Sequence, residues 1–399
     1  GMISLLLWPT KWPQYTLVVM PAICLAAASG TRSALHWVRE QESYWGWLRA
    51  MLPNPTTATL VAAILFVGVA VVSVLTNAVL VSVNRLGWSQ LNAITTSLPG
   101  NAVNQVLALP DGRMLMATDR GVGIWESGGT EADGWEIYTW ENSGLPDNEV
   151  LSAARDAQGG LWLGTRNGLA RTDGQSWQTI TGQQIGLTGD DILALQATPN
   201  GLWIGSNAGA AFYTGQEWMT YTSANSGLLD DLVLSIAVQP DGTAWFGTRL
   251  GISRFDPVTQ EWTTFTGQNA GLGAGGVADL MIDQKGRLWA GLLGGGLSVY
   301  DGVSWKHYRT GNSGLPTNLV RVIYETAPGE YWVATGIPNT PGGLISRYDE
   351  IANEWTSYRP GRTGYSGAET ISIAQDASGQ LWFGTYTAGV DRFLPRNEK

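Results

Sequence analysis

A tryptophan recurs at one place in a repeating unit along most of this chain: Trp88, Trp135, Trp177, Trp218, Trp262, Trp305 and Trp355 stand 47, 42, 41, 44, 43 and 50 residues apart. A second series, Trp162, Trp203, Trp245, Trp289, Trp332 and Trp382, keeps phase with the first, and Leu115 holds its place in the first unit. A period of this size marks small supersecondary units stacked on one another, and it constrains the fold more than any single motif.

Within one unit, Leu145-Pro-Asp-Asn148 leads into the apolar stretch Val150-Leu-Ser-Ala-Ala154, and a turn follows at Asp156-Ala-Gln-Gly159. Leu161-Trp-Leu-Gly-Thr165, a turn ending at Gly168, Leu169-Ala-Arg-Thr172 and then Trp177-Gln-Thr-Ile180 complete the unit. Four short β-prone segments separated by Gly and Asp turns predict an antiparallel meander. Four strands in a period of about 43 residues predict a propeller blade. Asp111-Gly112, Asp156 with Gly159, Asp241-Gly242, Asp283 with Gly286, Pro328-Gly329 and Asp376 with Gly379 occupy the first turn of their units. There glycine supplies the positive φ and aspartate bonds its own backbone. The tryptophan three residues after that glycine is expected to pack between neighbouring blades.

The last unit, Ser366 to Phe393, stops before its fourth strand, and an orphan strand, Trp88-Ser-Gln-Leu91, precedes the first. Each end supplies what the other lacks. The chain is therefore expected to be all-β over residues 87–396: a seven-bladed β-propeller whose last blade is completed by the N-terminal strand, which also removes an exposed sheet edge.

The recurrent Leu-Pro-x-Asn-x-Val, the Asp-x-x-Gly-x-Leu-Trp-x-Gly-Thr after it and the Gly-Leu that opens the third strand resemble the two-component regulator propeller repeat, over about residues 88–394. The resemblance implies the extracytoplasmic ligand-sensing part of a membrane sensor, of a kind that often recognises glycans. Such sensors commonly continue into an Ig-like domain, a membrane helix and a kinase; here one ring follows an N-terminal segment.

Residues 1–86 read as a membrane anchor preceding the propeller. No charged residue occurs from Ala50 to Asn84, and Thr59 to Val83 is almost wholly apolar. Roughly 20 such residues span a bilayer, so a transmembrane helix is predicted at about 58–84. Trp12 to Thr31 is a second uncharged stretch, read as another helix at about 12–31; the rival reading is a secretory signal peptide, since Lys11 precedes the apolar run and Ala26-Ala27-Ala28 resembles a cleavage site. Arg32, Arg39 and Arg49, with Trp37, Trp45 and Trp47 interleaved, predict a cytoplasmic interfacial helix at about 33–51. This multi-pass topology places the propeller on the extracytoplasmic (periplasmic or extracellular) side of a cell membrane.

Charge is unevenly placed. The whole chain carries a net of −10, but residues 1–87 hold five basic and two acidic side chains, so the remainder carries about −13. A surface this acidic repels phosphate backbones, which excludes nucleic acid as a partner. Two histidines and a single cysteine, Cys24, rule out an internal disulfide and argue against a structural zinc site, so no cofactor is expected. No Ser/His/Asp or Cys/His set exists, because His36 falls between the expected spans and His307 on an outer strand. Adjacent acids such as Asp190-Asp191 and Asp230-Asp231 lie on turns and lack the opposed geometry of a hydrolase. A non-catalytic protein is expected.

In a propeller, the loops joining one blade's outer strand to the next blade's inner strand gather at one face, around the channel. The fourth position of the Leu-Pro-x-Asn turn there is Asn101, Asn148, Asp190, Asp231, Gly275, Asn318 and Ala368, joined by Glu149, Asp191 and Asp230. On a purely structural reading these Asn and Asp residues start the inner strands as Asx turns. On a functional reading they form a polar ring for a hydroxyl-rich ligand, a cation or a basic peptide. The turn between the second and third strands should open on the same face, with Asp119, Arg166, Asn207, Arg249, Leu293, Gly336 and Tyr386 in equivalent places. Thr335 to Gly343 lengthens that turn in the sixth unit.

Variation on a constant scaffold is where specificity resides. Arg166, Asn207, Arg249 and Tyr386 of the varying turn are therefore candidate contacts, together with Asn148, Asp190, Asp231 and Asn318 of the polar ring. The function expected is a membrane-anchored extracytoplasmic binding or sensor module for a glycan or protein partner. The alternative is an accessory structural subunit whose helices pack in the lipid bilayer among other subunits of a larger membrane complex.

Overall fold

Short strands of apolar and β-branched residues cannot bury their faces alone; they pair into sheets, and the sheets stack. The computed structural model describes residues 87–126, 134–336, 343–360 and 365–394. There the chain forms seven four-stranded antiparallel sheets, six of them built from consecutive strands. The inner strands are Val103–Ala108, Val150–Arg155, Ile192–Thr198, Val233–Val238, Val277–Ile282, Val320–Ala327 and Thr370–Gln375. Each touches the next around the ring, and Thr370–Gln375 touches Val103–Ala108.

The seventh sheet joins the two ends of the repeat region. Trp88–Leu91 pairs antiparallel with Val390–Phe393, Trp88 opposite Phe393 and Leu91 opposite Val390. Trp88 is 1% exposed. The rings of Phe393, Tyr365, Phe383 and Tyr358 surround it at 4.8, 5.3, 5.3 and 5.6 Å. The ring is closed as the complementary ends of the sequence require.

The second-strand tryptophans lie between blades. Trp162 meets Trp218 at 6.4 Å, Trp203 meets Phe246 at 5.0 Å, Trp289 meets Tyr331 at 3.9 Å, and Trp382 meets Trp125 of the first blade at 5.4 Å. A buried indole N–H needs an acceptor, and for Trp162, Trp245, Trp289 and Trp382 the side chain six residues earlier provides it. Asp156, Asp283 and Asp376 each accept from their tryptophan Nε1 at 2.8 Å, and Gln239 accepts from Trp245 at 3.1 Å. The turn aspartate thus does two things at once. Asp156 Oδ1 accepts the Gly160 N–H at 2.6 Å and closes the turn, while its Oδ2 also takes Arg171 Nη2 at 3.0 Å. Gly164 is glycine for a packing reason: a Cβ there would stand 2.7 Å from the carbonyl oxygen of Ile192 on the next inner strand.

Side chains on the inner strands bind the blades into a belt. Gln105 Oε1 accepts from Ala153 N–H at 2.6 Å, Asp279 Oδ2 from Ile323 N–H at 2.8 Å, and Ser372 Oγ from Val106 N–H at 2.9 Å. Ser152 Oγ donates to Ile192 O at 3.1 Å. The expected helices at about 12–31, 33–51 and 58–84 lie outside the described residues, as does residues 337–342 of the lengthened turn. Among the described residues, no helix is long and apolar enough to cross a membrane.

Candidate binding face

The turn between second and third strands is fixed by a hydroxyl. Thr165 Oγ1 donates to Gly168 O at 2.9 Å and accepts from Asn167 N–H at 3.1 Å, leaving Arg166 at the tip. Thr118, Ser206, Thr248 and Thr385 make the same clamp at 2.8 to 2.9 Å. The loops between blades lie against these turns: Arg166 N–H donates to Glu149 O at 3.3 Å, Asn207 N–H to Asp191 O at 3.2 Å, and Tyr386 N–H to Glu369 O at 2.9 Å. Both loop families therefore form one face.

The Asn/Asp series is occupied within its own loops. Asn101, Asn148, Asp190, Asp231 and Asn318 each accept, through Oδ1, the backbone N–H of the residue eight positions earlier: Ala93, Trp140, Gly182, Ser223 and Thr310, at 2.6 to 2.9 Å. The contact closes the interblade loop on itself rather than starting the inner strand as a local Asx turn. One oxygen of each candidate, including Asn148, Asp190, Asp231 and Asn318, is committed to architecture.

The charged tier outside that ring is internally paired. Arg166 reaches Glu149 at 2.9 Å and Asp191 at 3.1 Å, bridging the loops that lead into two successive blades. Its bond to Glu149, with lesser help from Asp191, raises its pKa. Arg249 meets Asp230 at 3.0 Å. Partial burial opposes ionisation of Asp230, yet the Arg249 bond, backbone N–H groups and the arginine's charge outweigh it and hold the carboxyl below its ordinary value. Asn207 and Tyr386 are exposed on the same face. Such exposed pairs add little to stability; they fix where the guanidinium groups stand.

Several residues of this face are not evident from the repeat. Ile94, Trp140 and Leu250 are 89%, 58% and 62% exposed, beside the expected contact Tyr386, which is 41% exposed. Trp140 had one legible sign: it belongs to neither tryptophan series. Arg321, on the sixth inner strand, pairs with Glu369 at 2.5 Å. Glu369 is buried and its Oε2 has no hydrogen-bond partner. Nothing in the spacing of these two residues announces their meeting. Among the described residues, no group of three or more His, Cys, Asp or Glu side chains is arranged to hold a metal ion.

The molecule is thus a seven-bladed β-propeller with a face of paired charges and exposed apolar side chains beside its inner strands. Two of its repeat segments, residues 144–167 and 364–387, match the profile of the family described as "Two component regulator propeller". No curated protein matches the chain. Among solved structures, the extracellular domain of a hybrid two component system from B. thetaiotaomicron aligns with a TM-score of 0.66 at 23% identity, over 77% of this chain and 41% of that one. The chain therefore spans under half the length of that domain. Streptogramin B lyase aligns at 0.58 with 14% identity, over 77% of this chain and 97% of the lyase. YCF48 bound to D1 peptide aligns at 0.57 with 16% identity, over 78% of this chain and 96% of YCF48. At these identities the likenesses establish the fold.

Proposed function

We propose that this chain is a membrane-anchored, extracytoplasmic, non-catalytic binding or sensor module whose interblade-loop face receives a glycan or a protein. The observation that carries the reading is the grouping of Ile94, Trp140, Leu250 and Tyr386, all exposed, with Arg166 and Arg249 on a rigid ring. Aromatic and arginine side chains on a preorganised surface are the usual anchors of recognition. The family match and the likeness to a hybrid two component system's extracellular domain support a sensor on the outer side of a membrane.

The non-catalytic part rests on chemistry. The one histidine among the described residues, His307, lies on an outer strand with Nδ1 2.9 Å from Ser298 Oγ, and Glu149, Asp191 and Asp230 are engaged by arginines. A protein partner, as for an accessory subunit of a membrane complex, is the second reading. YCF48, which aligns over 96% of its own length, is known bound to D1 peptide.

The test compares the full-length chain with R166A/R249A and W140A/Y386A variants, on immobilised glycans and by co-purification from native membranes. Both variants should fold and lose most of what the wild type retains. Two variants that keep the wild-type set of ligands would refute this face as the binding surface. A stoichiometric protein retained only by the wild type would select the second reading over a glycan.

A further inference from the structure

The opposite end of the blades carries a regularity that the repeat does not require. The turns between third and outer strands are capped alike: Asp256, Asp301 and Asp349 accept the N–H of the residue two positions on, Val258, Val303 and Ile351, at 2.8 to 2.9 Å. These three tips, on successive blades, are 86%, 90% and 87% exposed. In the second and third blades the same tip position holds Gln175 and Gln216, capped by Asp173 and Thr214. A single exposed aliphatic residue is ordinary on a protein surface. Three β-branched aliphatics at one position of three neighbouring blades, where the second and third blades carry glutamine, form a pattern.

The occupant is indicated by two features. The tips stand on three separate sheets, so a compact partner would have to meet each on its own turn; a lipid interface offers apolar depth everywhere along a plane. The chain also joins the propeller at this end. Gly87, where the described chain begins, accepts from Leu394 N–H at 2.9 Å, at the same end of the last blade as these turns lie in theirs. Shortly before it in sequence runs the uncharged stretch ending at Asn84, apolar from Thr59 to Val83 and long enough to span a bilayer.

We propose that Val258, Val303 and Ile351 form a lipid-contacting rim that rests the propeller on an uncharged, zwitterionic bilayer surface. The capping carboxylates Asp256, Asp301 and Asp349 stand just behind the tips and oppose an anionic surface. The inference rests on the membrane anchor of the proposed function but not on its binding face.

The test uses the full-length chain with C24S, reconstituted in phosphatidylcholine vesicles that carry nitroxide-labelled lipid. An environment-sensitive fluorophore is attached at V258C, V303C or I351C in turn, with Q175C and L250C as references. Flotation of the vesicles reports the anchor by itself, and the quenching among positions reports the rim. The three tips should be quenched at least about twofold more than either reference, as expected for side chains at the acyl boundary. Quenching should fall when part of the phosphatidylcholine is replaced by phosphatidylglycerol. Equal quenching at tips and references, or stronger quenching with phosphatidylglycerol, would overturn the rim. A chain that does not float with the vesicles would overturn the rim and the anchor together.

Discussion

Replacing Trp88 with alanine should loosen the whole ring, because Trp88 is where the two ends of the repeat region meet. The side chain is 1% exposed and lies within 5.6 Å of four aromatic rings, three from the last blade and its preceding loop and one, Tyr358, from the sixth blade. Truncating a buried tryptophan to alanine costs about 3–5 kcal/mol, through lost transfer energy and an unfilled cavity. For a ring of roughly 300 residues, an unfolding entropy of about 0.6 kcal/mol per degree converts this into a melting-point drop of about 5–8 °C. The same substitution at Trp140, which is 58% exposed, should change stability by at most about 0.5 kcal/mol, under 1 °C. Near-ultraviolet circular dichroism, melted at one scan rate for wild type and both variants, separates the two. If W88A melts within a degree of wild type, closure by the N-terminal strand does not hold the ring together.

Two further predictions concern charge and turns. Burial pushes the carboxyls of Asp279 and Asp391 up to about 7, from an ordinary value of 3.8. Because the folded state prefers the protonated form, their contribution to stability is complete below about pH 4 and is lost as pH rises through 7. Glu350 runs the other way: its bond to Arg287 holds it down to about 2, so its contribution is present above about pH 4.5 and is lost as pH falls. Urea midpoints should therefore fall from pH 5 to pH 8, and Asp391→Asn should flatten that decline; a flat wild-type profile would contradict the burial argument. Asp376→Ala should cost about 2 kcal/mol, since it strips the acceptor from Trp382 Nε1 and from the Ser378 and Gln380 N–H groups. Asp241→Ala, which loses its bond from Thr243 N–H, should cost about half as much. Equal midpoint shifts for the two would argue against the double role of the turn aspartate.

The sequence by itself determined the architecture. In-phase tryptophans gave the blade count, Gly and Asp turns gave the strand divisions, and an orphan strand before Asn92 with a truncated last unit required closure, later seen as Trp88 opposite Phe393. These features are periodic or local, and the covalent order of residues carries them directly. Even the indole acceptor six residues before Trp162 was visible as a spacing, although its bond was not.

The tertiary structure alone decided the face. Arg166 lies 17 positions after Glu149 and 25 before Asp191 in the chain, and it meets both because loops of successive blades converge there. Asn148 and Asp231 turned out to close their own loops, while Ile94 and Trp140 were left exposed. A repeat pattern reports which side chains point inward, on average over many units. Which charge finds which partner depends on distances of a few ångströms between segments far apart in sequence, and folding alone sets those distances.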